Sequence, residues 1–426
     1  MLEATHQVSL GDEAEDEYSI ELPSSRSLKR APHAVIVVEN MTVPPDRRVW
    51  QQALALRNEG WRVSVITPKV GAYTKSHEVI DGVSIYRHPL PWEARSLTAY
   101  IAEYSTAIAF EMRALLKLGL DDIDVVQICN PPDFLFLPAL LAKKFGRAKV
   151  IFDHHDLTPE LLAEKVGRSD GLLFRFANWA EKRTFAVADE VISTNSFFRT
   201  HALENRGKSE REVTVVYSSP DLTKLPKVDP NPALKKGKDH LLLWVGVMGS
   251  QDGLGLTLDA IDELRSLPGG DNFHLLIAGD GPERKVMEQR ADQLGLSEHV
   301  TFAGFLNGNQ LAEAFVTADV GIGSDPKNAF NDRLAMNKIM EYMAYRLPIA
   351  MFDLAECRNI AGDAALYASN NDPAALAANI SNLIQSPNTR RTMGERGHAR
   401  LRSEYSWDLQ KELYLSVYAR LCDEKK

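Results

Sequence analysis

Twice along this chain, short runs of consecutive apolar residues alternate with helix-type stretches, and that repetition limits the fold more than any other feature. The runs at 34–38, 62–66, 124–128, 149–152 and 190–193 are too short for helices and are apolar on both faces. Such runs read as strands of a parallel sheet covered on both sides. Asp46 stands before a helical period that closes at Gly60, and a second apolar helix is expected over 134–144. A strand at 213–216 completes the first set. The Lys- and Pro-rich stretch 222–238 breaks the pattern, which restarts at 241–245 and continues at 274–278, 299–302, 319–322 and 348–351. The segment beyond residue 372 reads as helical. Two α/β doubly wound units facing each other are therefore expected, with ligands beyond the carboxyl ends of the strands.

The boundaries follow from these breaks. Residues 1–31 read as a disordered tail, because an acidic run and the polar, basic stretch with Arg26, Lys29 and Arg30 carry no apolar period. The first unit is expected over 32–221, the linker over 222–238 and the second unit over 239–405. A last helix, 406–426, is expected to pack back on the first unit. A chain of 426 residues has room for this plan.

Charge and cysteines narrow the function. The net charge of −9 argues against nucleic acid as the main partner, since phosphate backbones demand basic surfaces. Cys129, Cys357 and Cys422 are widely spaced, so neither a disulfide scaffold nor a zinc site is expected, and a reducing, cytoplasmic setting fits. No apolar run approaches the roughly 18 residues of a membrane span, and the first residues lack the apolar core of a signal peptide.

Chemistry concentrates in three places. Gly279-Asp280-Gly281-Pro282-Glu283 follows a strand and opens a helix, where glycines let backbone approach a ligand; a plain strand-to-helix turn with Pro282 at its first position fits equally. In the stretch 331–344, Asn337 is a good N-cap, so the amides of Lys338 and Ile339 together with the Lys338 charge suit a diphosphate. Glu341, one turn on, can accept hydrogen bonds from ribose hydroxyls. The alternative is an amphipathic helix with an exposed Lys and Glu. Finally, Asp153-His154-His155-Asp156 follows a buried strand. Those histidines could act on a donor sugar, cap the next turn, or bind a metal.

Taken together, these segments resemble the retaining glycosyltransferases of family 4, which have the GT-B fold of two Rossmann-like domains. The resemblance rests on Val245-Gly246-Val247-Met248-Gly249, Ala278-Gly279-Asp280-Gly281-Pro282, Val300-Thr301-Phe302-Ala303-Gly304-Phe305, Asn337-Lys338-Ile339-Met340-Glu341-Tyr342-Met343-Ala344, Leu347-Pro348-Ile349 and Gly362-Asp363-Ala364-Ala365. The first half resembles a bacterial surface-polysaccharide and lipid-linked-glycan branch through Asp46-Arg47-Arg48-Val49-Trp50, Cys129-Asn130-Pro131-Pro132-Asp133 and the stretch 152–160.

The resemblance implies a hexosyltransferase that moves sugar from a nucleoside-diphosphate donor to a hydroxyl acceptor, a glycan or a lipid-linked one. It implies no cofactor and no metal, with the protein in the cytoplasm or peripheral at the inner membrane face. It implies that Glu341 holds ribose, that Gly304 and Phe305 read the base, and that His155 or His154 acts near the sugar. Gly246, Met248, Gly249 and Gly279 fall in the donor-binding turns, with Lys338, Asn337 and Arg333. The chain also departs from the pattern. Arg333 stands where the first acid of the E-x7-E motif belongs, with Asp332 the nearest carboxylate. Val247, Met248 and Asp252 occupy the stretch of the usual Arg and Lys, residues 40–45 replace a glycine pair, and Arg346 stands where a glycine usually ends the helix. Lys338 and Arg333 are expected to replace the missing cations, with Arg47 or Arg48 across the cleft as the other source. Two other readings share the fold: a nucleotide-sugar epimerase and a non-catalytic partner subunit.

Overall fold

The computed structural model describes residues 30–89, 97–166, 171–268 and 270–423. The tail expected over 1–31 falls almost wholly outside them, Arg26 and Lys29 included; Arg30 lies within and donates to Asp124 Oδ2 at 2.9 Å.

The first unit contains β1 (His33–Val38), α1 (Arg47–Asn58), β2 (Arg62–Pro68), β3 (His77–Ile80), β4 (Val83–His88), α2 (Leu97–Leu118), β5 (Val125–Cys129), α3 (Phe136–Leu141), β6 (Lys149–His154), α4 (Thr158–Val166), α5 (Leu172–Val187), β7 (Glu190–Ser193), α6 (Ser196–Arg206) and β8 (Val213–Val215). Its sheet runs β3-β4-β2-β1-β5-β6-β7-β8, and only β3 is antiparallel to its neighbour. The second unit contains β9 (His240–Val245), α7 (Leu254–Arg265), β10 (Phe273–Ala278), α8 (Arg284–Gln293), β11 (Val300–Gly304), α9 (Gly308–Thr317), β12 (Val320–Gly323), α10 (Asn337–Ala344), β13 (Ile349–Phe352), α11 (Ala355–Ala361), β14 (Ala365–Ala368), α12 (Pro373–Gln385) and α13 (Pro387–Arg400). Its parallel sheet runs β11-β10-β9-β12-β13-β14. Both orders reverse direction once, between β1 and β5 and between β9 and β12. Those two reversals are the crevices where doubly wound sheets receive ligands.

Local signals account for most elements. Every residue of β1 and β10 is buried, as unbroken apolar runs require. Asp46 caps α1 through a 3.0 Å bond from the Val49 amide, and Gly60 leaves it at φ +83°. Arg346 does sit in the left-handed region, at φ +57°. Its carbonyl oxygen lies 2.0 Å from where a Cβ on Gly394 would be, so that glycine admits the strained turn.

Some expectations change. The helix expected over 134–144 is three pieces: a 3-10 turn Asp133–Leu135, α3, and a π turn Ala142–Gly146. Gly146 packs against the Leu120 carbonyl with no room for a Cβ (2.3 Å). Pro282 is not the first residue of α8 but part of a turn that precedes Arg284. Strands β3, β4 and β14 carry no unbroken apolar run: β3 and β14 are short and partly exposed, and β4, though largely buried, alternates apolar with polar residues and ends in Arg87 and His88.

The last helix, α14 (Trp407–Asp423), crosses to the first unit. Its Trp407, Tyr414, Val417, Tyr418 and Leu421 join the core around β1, β2 and α1. The Tyr414 and Tyr418 hydroxyls both donate to Gln127 Oε1, at 2.8 and 2.9 Å.

Candidate active site

Consecutive arginines at the start of α1 point in different directions, because successive helical residues are about 100° apart. Arg48 turns inward. Its guanidinium donates to Asp153 Oδ1 (2.7 Å) and Oδ2 (3.2 Å) and to the Val216 carbonyl (2.8 Å). Gln52 and Gln127 donate to the same carboxylate at 2.8 and 3.2 Å. Asp153 is fully buried; burial alone would raise its carboxyl, but Arg48 and His155 hold it far below the usual carboxylate range.

His155 stands over this base, with Nε2 2.9 Å from Asp153 Oδ2. The same Nε2 also lies 3.1 Å from Arg48 Nε, so both neighbours engage this one nitrogen, and Nδ1 makes no hydrogen bond among the described residues. The His155 amide donates to Asn130 Oδ1 at 2.7 Å, while Asn130 Nδ2 holds the Asp156 carbonyl (2.7 Å) and Thr158 (3.2 Å). One side chain thus shapes the turns after β5 and β6.

His154 is placed otherwise. It is fully buried, packed edge-on against Phe185 and tilted against Phe198, with Nε2 3.7 Å from Glu181, and burial lowers its pKa. It is a neutral core residue, so the catalytic expectation passes to His155 alone. The strand period, continued one residue past the end of β6, is the cause: successive side chains point to opposite sides.

Arg47 turns outward and crosses the cleft to Glu341 on α10, where its Nη1 bonds Oε1. Arg47 is 69% exposed and Glu341 14%. Burial raises the Glu341 pKa against the opposing pull of Arg47. The ribose candidate of one unit is therefore held by the helix that organises His155 in the other.

Around Glu341, α10 begins one residue differently from expectation. Met336 is the N-cap residue, without a side-chain cap, and Asn337 is the first helical residue, exposed. Asn337 therefore does not cap the helix. The Ile339 amide bonds Met336 O at 3.1 Å, and the amides of Asn337 and Lys338 have no acceptor among the described residues. Two free amides at a helix start suit an anion.

Lys338 is buried at 8% exposure, not free as expected. Its Nζ lies 2.9 and 3.1 Å from Asp325 and 5.1 Å from the centre of the Trp244 ring. Asp325, just past β12, had not been noticed in the sequence; its position at the strand-order reversal was the available signal. A Cβ on Gly246 would lie 3.0 Å from the Trp244 ring and 3.5 Å from Lys338 Nζ, so the glycine lets the 246–249 loop pack tightly on Trp244 beside the ammonium. Gly249 donates to Asp252 at 3.2 Å, and burial pushes the Asp252 carboxyl up to about 6.

The other expected residues divide. The Arg333 guanidinium is exposed and has no partner among the described residues, while its carbonyl accepts from Asn195 of the first unit at 2.8 Å. Asp332 instead holds the start of α11: Oδ1 accepts from the Ala355 amide at 2.7 Å and pairs with Lys327. A catalytic role for Asp332 is set aside because that carboxylate is already engaged. The Met248 side chain lies in the core, so only its backbone can face a ligand. Gly279 serves packing: a Cβ there would lie 1.8 Å from the Gly246 carbonyl. Gly304 takes φ +70°, and the adjoining Phe305 is 85% exposed. A depression of 720 Å³ lined by Arg358, Asp363, Tyr367 and Arg396 contains none of these residues.

Comparison with known proteins adds independent findings. Residues 45–218 match the family model described as glycosyl transferase 4-like domain, and residues 239–386 match glycosyl transferases group 1. The chain is 25% identical over 385 residues to human alpha-1,3/1,6-mannosyltransferase ALG2, covering 85% of this chain and 89% of that protein. An uncharacterized glycosyltransferase of Methanocaldococcus jannaschii is 26% identical over 63% of this chain and 67% of its own length. Among solved structures, sucrose-phosphate synthase of Thermosynechococcus elongatus superposes with a TM-score of 0.72 at 19% identity, over 93% of this chain and all of that one. Anabaena HepE, in complex with UDP and glucose, superposes at 0.68 with 14% identity, over 91% of this chain and 99% of that one.

Proposed function

From the premise that this chain belongs to the GT-B glycosyltransferases, we propose that it is a retaining, metal-independent hexosyltransferase that uses a nucleoside-diphosphate sugar. The observation that carries this reading is the contact of Arg47 with Glu341, which joins the His155 network to the α10 start across the cleft. The donor ribose would take Glu341 from Arg47. The diphosphate would lie against the free amides of Asn337 and Lys338, and Arg47, once released, would face it. Gly304 and Phe305 would meet the base.

In the transfer, the bond from the anomeric carbon to the diphosphate oxygen breaks as the acceptor oxygen bonds the same face of that carbon. The acceptor proton goes to the leaving diphosphate. Lys338, Arg333 and the α10 amides stabilise the departing charge. His155, oriented by Asp153, positions the sugar through Nδ1. The likeness to a mannosyltransferase supports transfer of a hexose; the acceptor in this reading is a glycan or lipid-linked hydroxyl met at a membrane surface. No helix among the described residues is long and apolar enough to cross a membrane.

Titration with nucleoside diphosphates tests the site. Glu341→Ala is expected to weaken binding by about 1.5–3 kcal/mol, the range for a hydrogen bond to a charged group. A folded variant of unchanged affinity would refute the assignment. The buried pairing of Lys338 with Asp325 favours a second reading, a subunit that binds donor poorly; failure of the unaltered chain to bind any nucleotide sugar would establish it.

A further inference from the structure

Beneath the loop that leads from β1 to α1, three buried groups take no part in the transfer. Glu39 follows β1, His88 ends β4, and Glu111 lies on α2; they are 5%, 6% and 0% exposed. Their ligand-type atoms all lie within 4.8 Å of one another, and His88 Nε2 is 2.9 Å from Glu39 Oε2. The four carboxylate oxygens and His88 Nε2 face only one another and find no hydrogen-bond partner in any other described residue. Leaving such groups buried and unsatisfied is costly, so something must compensate them.

The tautomer of His88 narrows the choice. Its Nδ1 lies 3.2 Å from the Pro89 carbonyl, which can only accept, so Nδ1 carries a proton. In the neutral ring, Nε2 then presents a lone pair toward a carboxylate oxygen, which repels it. A cation between the two turns that repulsion into coordination, and an Nδ1–H bond to a backbone carbonyl is the outer contact that metal-bound histidines make. Among the described residues no protein cation takes the place: the adjacent Arg87 sends its guanidinium to Thr42, Val43 and Glu78. Bonds of about 2.0–2.2 Å put neighbouring ligand atoms about 3.0–3.5 Å apart, near the observed Nε2–Oε2 spacing.

We propose that Glu39, His88 and Glu111 form a structural site for one divalent transition-metal ion, zinc or manganese. The ion ties the ends of β1 and β4 to α2, and so secures the start of the loop 40–45 that carries Arg47 to the cleft. It is separate from the donor site, with which it shares no residue. The Cys129, Asp153 and His155 group is also compact, but there the Arg48 guanidinium already supplies the positive charge.

The test is metal analysis of the full chain purified from cells supplied with zinc and manganese. About one equivalent per chain is expected to remain after gel filtration. After chelator dialysis, adding Zn2+ or Mn2+ should raise the Tm by at least about 4 °C. Glu111→Gln and His88→Asn should each lose the bound ion and the Tm response. A protein that carries no metal, and whose Tm neither ion moves, would overturn the site in favour of two carboxyls sharing a proton beside an imidazolium. Full metal content in Glu111→Gln would overturn it as well. Should the variants fail to fold, the two measurements on the unaltered chain still decide.

Discussion

Asp252 falls in the stretch where the resembled family carries an Arg and a Lys, and its environment explains how an acid can stand there. Burial lifts its carboxyl to about 6, so near neutral pH a fraction is protonated. The sign follows directly. Below pH 6 Asp252 is neutral and spares the donor a repulsion; above it the negative charge returns. Affinity for a nucleotide sugar, whose diphosphate does not itself ionise in this range, should therefore fall as pH rises from 5 to 7. Asp252→Asn should flatten that profile; a variant profile parallel to the unaltered one would remove Asp252 from the site. Lys338 is the complementary case. Its pairing with Asp325 places it beside Gly246, so Lys338→Ala should lower turnover at least about tenfold, a barrier increase of about 1.4 kcal/mol. Near-normal turnover would shift the clamp to Arg333 and Arg47.

At the level of elements, α1, β5, β6 and α14 meet in one buried polar network. Tyr414 and Tyr418 bond Gln127, which bonds Gln52 and Asp153, which holds Arg48 and His155. Arg48→Met leaves Asp153 buried without its cation and should destabilise the fold by about 3–5 kcal/mol, read from urea unfolding. The pH dependence follows from linkage. The folded Asp153 pKa is depressed, so its stabilisation is complete above the unfolded value near 4 and declines as pH falls toward the folded value. Asp153→Asn should accordingly lose less stability than the unaltered chain between about pH 5 and pH 3. Equal acid slopes would show that other carboxylates dominate.

For the whole molecule, the two units touch through more than Arg47. Asn195 donates to the Arg333 carbonyl, Tyr217 donates to Glu356, and Leu157 and Phe198 pack with Phe330. Against that interface, one ion pair with a largely exposed arginine contributes at most about 1 kcal/mol. Arg47→Gln should thus tighten binding of a plain nucleoside by no more than about fivefold, by freeing Glu341. Turnover with a nucleotide sugar should fall, because the diphosphate loses a cation. Weaker nucleoside binding in that variant would mean that Arg47 orders Glu341 for the ribose instead of competing with it.

Much of this was legible along the chain. Apolar runs marked eleven of the strands, because residues buried on both faces leave no polar alternation. Asp46 and Gly60 bounded α1, and the family resemblance, in which a glycine usually ends the Glu341 helix, marked the left-handed turn at Arg346. The stretch 331–344 directed attention to Glu341 and Lys338 through local helix electrostatics. What lies across space did not show. Strand direction put His154 in the core and His155 at the cleft, although the two are neighbours in sequence. Asp325 reaches Lys338 from thirteen residues away, and Arg47 reaches Glu341 from 294. Glu39, His88 and Glu111 have no common motif and meet only where a sheet and a helix close over them. Period and propensity act over a few residues, so they determined the elements. Partners of charged and polar groups are chosen by which surfaces the fold brings together, and that only the tertiary structure decided.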